Sequence, residues 1–172
     1  ITGVAGNTSL DKVSDNTLKI LDFVDAQHIP VALGAQRPLI EPLRDASWIH
    51  GTHGIGDVEL PPSGRRVVEM HAVELMKKCL TDVDEGLTIF ALGPMTNIAL
   101  LLRMYPEVSH RINRIIFMGG STTFGNATAV SEFNFWHDPE AAHIVLTSGV
   151  PMTMYGWDLL WSMRTGPEKI AQ

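Results

Sequence analysis

The chain has 172 residues, 45% of them apolar and 19% charged; that is enough for one domain with a hydrophobic core, too little for two, and too apolar for a disordered tail. The formal net charge is −6 and the basic residues cluster only in short pairs, Arg65 with Arg66 and Lys77 with Lys78, so the chain repels a phosphate backbone and nucleic acid is not an expected partner. No apolar run approaches the roughly 20 residues that span a bilayer, and no signal peptide is visible, so no membrane partner is expected and a cytoplasmic location is.

In chain order, residues 1–5 form a β-rich run that stops at Gly6 and Asn7. Leu18, Ile20, Leu21 and Val24 have helical spacing, with Ser14 or Asp15 as the cap. Residues 29–33 read as a strand closed by Gly34. The segment 36–64 is rich in Pro, Gly and His, as functional or mobile loops are. Val68, Ala72, Val73, Met76, Cys79 and Leu80 mark one side of the next helix. Cys79, the single cysteine, reads as a small buried hydrophobe there; alone it cannot form an internal disulfide.

Residues 87–92 are nearly all apolar, the pattern of a strand buried on both faces. Thr96 and Asn97 open a helix with Ile98, Leu101 and Leu102, and tie its start to the sheet. Residues 115–118 form another apolar strand, ended by Gly119 and Gly120, and a loop then runs to about His137. Asp138, Pro139 and Glu140 read as cap, first position and first turn of a helix, which His137 and His143 cap or decorate. A last strand covers 150–155. Strands alternating with helices imply an α/β fold: an open, mostly parallel sheet with helices on both faces, in a single domain over 1–172. Ligands of such sheets bind beyond the carboxyl ends of the strands. The polar residues to examine are therefore Asn7, 93–97 and 119–134.

Asn126, Glu132 and Asn134 fall within nine residues just after a buried strand. A carboxylate and two amides suit a ligand with many hydroxyls, such as a sugar. The alternative is a turn-rich loop whose polar side chains bond their own backbone.

The ordered set ITGVAGN, IHG, ALGPMTNIA, IIFMGG and GNATAVSEFN with HDPEAA resembles the inosine–uridine nucleoside hydrolases, over nearly the whole chain. The resemblance implies a Rossmann-type fold and hydrolysis of the N-glycosidic bond of ribonucleosides to ribose and free base. It implies Ca²⁺ at the bottom of the pocket, holding the ribose diol and the attacking water. It implies an oxocarbenium-like transition state. Carried over, Asn126 and Glu132 bond the ribose 5′-hydroxyl. Asn134 lies beneath the sugar as the catalytic amide, where its oxygen favours developing positive charge. Asn7 and Met118 line the ribose pocket, His50 lies on a loop near the base, and Leu92 offers its backbone carbonyl to calcium. Trp48 stacks a base or, the preferred reading, anchors its loop. Homo-oligomers follow too, since family members are commonly dimers or tetramers.

Two parts of the family pattern have no match. One is the aspartate cluster of DTDxGxDD type, which supplies most calcium carboxylates and the candidate base. The other is a C-terminal part with a further aspartate and a histidine; Asp158, in YGWDL, does not match that aspartate. The chain starts at Ile1 inside a strand-like run and stops at Gln172, so a piece of a longer domain is expected. Calcium needs about six to eight oxygen ligands, so calcium binding by these residues is expected to be weak or absent and the chain alone inactive. The alternatives are a non-catalytic ribose- or nucleoside-binding relative and an inert fragment.

Overall fold

The computed structural model describes residues 1–56, 58–163 and 166. Helices and short strands alternate along it. The three-stranded sheet is built on β4 (Ile112–Met118), which pairs in parallel with β3 (Leu87–Ala91) on one side and β5 (Met152–Tyr155) on the other. Its alternation turns Ile115 and Phe117 inward, both at most 1% exposed. They meet Ile98 and Leu101 of α4 (Thr96–Met104) and Ala141 and Val145 of α6 (Pro139–Leu146). Val73 and Leu80 of α3 (Ala72–Thr81) complete this core.

A second sheet is the parallel pair β1 (Thr2–Gly3) and β2 (Ala32–Leu33), packed with α1 (Leu10–Phe23) through Leu18, Leu21 and Val31. The two sheets share no strand pairing among the described residues. Asn97 joins them: its Oδ1 accepts from Ala35 N at 2.8 Å and its Nδ2 donates to Gly3 O at 2.9 Å. The start of α4 is thus tied to the ends of β1 and β2, as the sequence led one to expect.

Between β1 and β3 lies an open groove of about 600 Å³, reaching from Ile1 and Thr2 to Phe90 and Leu92. It overturns the expectation of a strand buried on both faces: Phe90 is 66% and Leu92 78% exposed. Among the described residues β3 has one hydrogen-bonded neighbour, so its free edge and the side chains beside it face the gap. Cys79 is exposed for the same reason. It borders the gap with Ile1, Leu87 and Ile89 rather than entering the core.

Other boundaries differ by local chemistry. α1 starts at Leu10 after Ser9, so Ser14 and Asp15 lie inside it, and Asp15 pairs with Lys19 at 2.6 Å. α3 starts after His71, whose ring accepts from Val73 N; Val68 precedes it and bonds Val31 O. Three short helices were not anticipated: α2 (Ser47–His50), α5 (Phe133–His137) and α7 (Trp157–Ser162). At four to six residues they carry too little periodicity to be seen in sequence. His137 is no decoration: it closes α5 fully buried, packed against Phe133 at 5.5 Å. Among the described residues no helix is long and apolar enough to cross a membrane.

Candidate active site

The carboxyl ends of the strands border a cleft of about 470 Å³. Asn7 enters it after β1, Leu92 after β3 and Met118 at the end of β4. His50 reaches it from α2, and Asn126, Glu132 and Asn134 from the segment after β4. The structure therefore brings all seven candidate residues to one cavity, although they span 128 positions from Asn7 to Asn134, counting both ends.

The segment after β4 is folded by backbone bonds. Gly120 has φ +71°, a left-handed turn that glycine adopts without steric penalty. A Cβ on Gly119 would stand 2.8 Å from the Phe135 ring. These two glycines let the chain double back against α5. The loop beyond closes on Ser131, whose carbonyl accepts from the N–H groups of Asn126, Ala127 and Thr128 at 3.1, 3.0 and 3.3 Å.

Glu132 caps α5. Its Oε1 accepts from Asn134 N at 2.9 Å, and its Oε2 from Gly120 N at 2.9 Å and Phe135 N at 3.2 Å. At 2% exposure the side chain is nearly all inside the protein. Asn126 Oδ1 accepts from Phe133 N at 2.8 Å, which leaves its Nδ2 donor without a bond to a described residue. Asn134 Nδ2 donates to Met118 O at 2.9 Å; no described donor bonds its Oδ1. The amide is thereby oriented with an acceptor oxygen left over. Ala46 N donates to Asn7 O at 2.9 Å and fixes the α2 loop to the end of β1.

Six residues of the wall were missed: Ala46, Ile49 and Phe133, and three of α7. Trp157, Leu160 and Trp161 of α7 line the cleft, with the two indoles 5.6 Å apart. Their i and i+4 spacing in WDLLW was the available signal, since it puts both rings on one helical face. Trp48 lines the cleft at 67% exposure, so it does not anchor its loop. Asp138 lies outside the cleft, as its reading as a cap implied. Fully buried, it accepts from Ala141 N at 3.0 Å, Leu39 N at 3.1 Å and the Thr96 hydroxyl at 2.6 Å.

Among the described residues no group of three or more His, Cys, Asp and Glu is placed to hold a metal. Glu132 is the single carboxylate on the cleft wall among the described residues, and both its oxygens face backbone N–H groups. These residues do not by themselves fit a calcium ion.

The model of the family described as inosine-uridine preferring nucleoside hydrolase matches residues 1–172. The chain belongs to that family.

It is 45% identical over 159 residues to the pyrimidine-specific ribonucleoside hydrolase RihA of Enterobacter sp. strain 638, covering 92% of this chain and 51% of that protein. It is 42% identical over 168 residues to the non-specific ribonucleoside hydrolase RihC of Salmonella enteritidis PT4, covering 98% of this chain and 55% of that one. Among solved structures, the purine-preferring ribonucleoside hydrolase from Gardnerella vaginalis superposes with a TM-score of 0.87 at 36% identity, over 92% of this chain and 52% of that one. The chain thus spans about half the length of the hydrolases it matches. Those relatives differ in base preference, so membership in the nucleoside hydrolase family does not itself name the base.

Proposed function

We propose that this chain is the ribose-holding portion of a longer single-domain nucleoside hydrolase, which cleaves the N-glycosidic bond of ribonucleosides to ribose and free base. The observation that carries the reading is the convergence of Asn7, His50, Leu92, Met118, Asn126, Glu132 and Asn134 on one cleft. Asn126 Nδ2 and the second lone pair on Glu132 Oε1 receive the ribose 5′-hydroxyl. Asn134 Oδ1 faces the sugar and steadies the charge of an oxocarbenium-like transition state. Asn7 and Met118 pack against the ribose, and His50 lies toward the base.

In the whole protein a bound calcium would supply activation of the water. Leu92 is the one residue of this chain assigned to it, through its carbonyl; the carboxylates belong to the rest of the whole protein. The task of the present residues is binding and orientation. In the same reading the enzyme is cytoplasmic, where an exposed free Cys79 stays reduced, and assembles as a homo-oligomer.

The test is base release from inosine and uridine by the whole protein with calcium. Asn134→Ala is expected to lower kcat by about 100-fold, the scale of a lost transition-state contact. Glu132→Ala is expected to raise KM. No release of either base, or undiminished turnover in Asn134→Ala, overturns the proposal.

A further inference from the structure

The carboxylate of Asp158 gathers the turn that follows β4. Thr122 N donates to Oδ2 at 2.8 Å and Thr123 N to Oδ1 at 3.1 Å. The Thr122 hydroxyl donates to Oδ2 at 3.1 Å, and the Thr123 hydroxyl to Oδ1. The Ser121 hydroxyl lies 3.2 Å from Oδ1 with the Phe124 carbonyl also in reach, so its one proton serves one of the two. Bonds from Thr123 and Thr122 hold the carboxyl well below the usual carboxylate range. A carboxylate suits this place because it offers about four lone-pair sites and no proton of its own.

Further contacts run in parallel with the clip. Trp157 N donates to Gly120 O at 2.9 Å. The Phe124 ring meets Trp161 edge-on at 6.1 Å. Asp158 itself does not line the cleft, yet it joins two segments that do: the loop carrying Asn126, and α7 carrying Trp157 and Trp161.

We infer that Asp158 is a positioning residue, clipping the turn 121–123 to α7 and so setting the width of the cleft between Asn126 and the two indoles. The inference rests on the reading of the cleft as a nucleoside site.

Asp158→Asn keeps the side-chain volume and leaves one acceptor oxygen. In this chain it is expected to speed amide exchange at Thr122 and Thr123 by about tenfold, the effect of losing a hydrogen bond to a charged group. Exchange within β4 should stay as it was. Unchanged exchange at both threonines overturns the clip. Calorimetric titration with uridine supplies a double-mutant cycle with Asn126→Ala. Asp158→Asn should weaken binding severalfold alone and much less when Asn126 is already absent; equal losses on both backgrounds overturn positioning. If the unsubstituted chain binds neither uridine nor inosine, the reading of this cleft as able to hold a nucleoside without the rest of the protein falls. Exchange at Asn126 N then decides the clip, faster exchange in Asp158→Asn upholding it and unchanged exchange overturning it. Should Asp158→Asn fail to fold, Thr123→Val removes one hydroxyl donor while keeping the shape. It should then produce the same local change at smaller size, and no change overturns the clip.

Discussion

Glu132 and His137 bracket α5, and both act from inside the protein. Three backbone N–H groups converge on the Glu132 carboxylate, so its removal leaves buried donors without a partner. Glu132→Ala is expected to lower stability by roughly 2–4 kcal/mol, read by urea denaturation, because each bond to a charged acceptor contributes about 1.5–3 kcal/mol and part is recovered by solvent. That loss should accompany the weaker ribose binding. Glu132→Gln keeps one acceptor oxygen and should fall between. The candidacy of Glu132 was legible from EFN and its neighbours, and it does line the cleft. Its bond across the turn was not, because that donor, Gly120, lies twelve positions away.

His137 is fully buried, and neither ring nitrogen has a partner among the described residues. Burial pushes its pKa below the ordinary value of 6.5; Asp138 pulls it up and Arg44 pushes it down. The folded state therefore binds the proton less readily than the unfolded one. Stability contributed by the neutral ring is present above about pH 6.5 and is lost as pH falls from there toward the lowered folded value. Thermal unfolding at pH 7.5 and 5.5 is expected to show this decline, and His137→Phe should flatten it. An equal decline in both proteins would refute the assignment.

At the scale of elements, two buried side chains hold the architecture around the cleft. Asp138 caps α6 while accepting from α4 and from the loop at Leu39. Asn97 ties α4 to the ends of β1 and β2. Since the two sheets share no strand pairing among the described residues, this amide is a principal link between their carboxyl ends. Asn97→Ala is expected to accelerate amide exchange at Ala35 and Ala5 far more than within β3 and β4. Uniform acceleration would mean that the sheets unfold as one unit. Most of the long elements were visible in the chain, because an apolar period over eight or more residues survives without tertiary context. The short helices were not: α5 exists because Glu132 caps it, and α7 because it docks on Gly120 and the turn 121–123.

Across the whole molecule, the groove between β1 and β3 is the least finished surface. Phe90 and Leu92 stand exposed beside a free strand edge, an arrangement that invites pairing with another chain. This chain is expected to self-associate at high concentration in sedimentation experiments, and Phe90→Lys to reduce that association by placing a charge on the edge. Equal association in both would remove the groove as its cause.

Sequence by itself determined the family, the parallel α/β class and the residue types that meet at the cleft. Those properties reside in local runs such as GNATAVSEFN and in the alternation of strand and helix. Which side chains are consumed by the fold and which face the cleft was settled only in three dimensions. Glu132 and Asp138 are both acids followed by short helices, yet one borders the cleft and the other is sealed among α4, α6 and the loop at Leu39. The same holds for Asp158, whose partners come from a turn 35 to 37 positions earlier. Hydrogen-bond partners brought together by folding assign such roles, and the order of residues along the chain does not contain them.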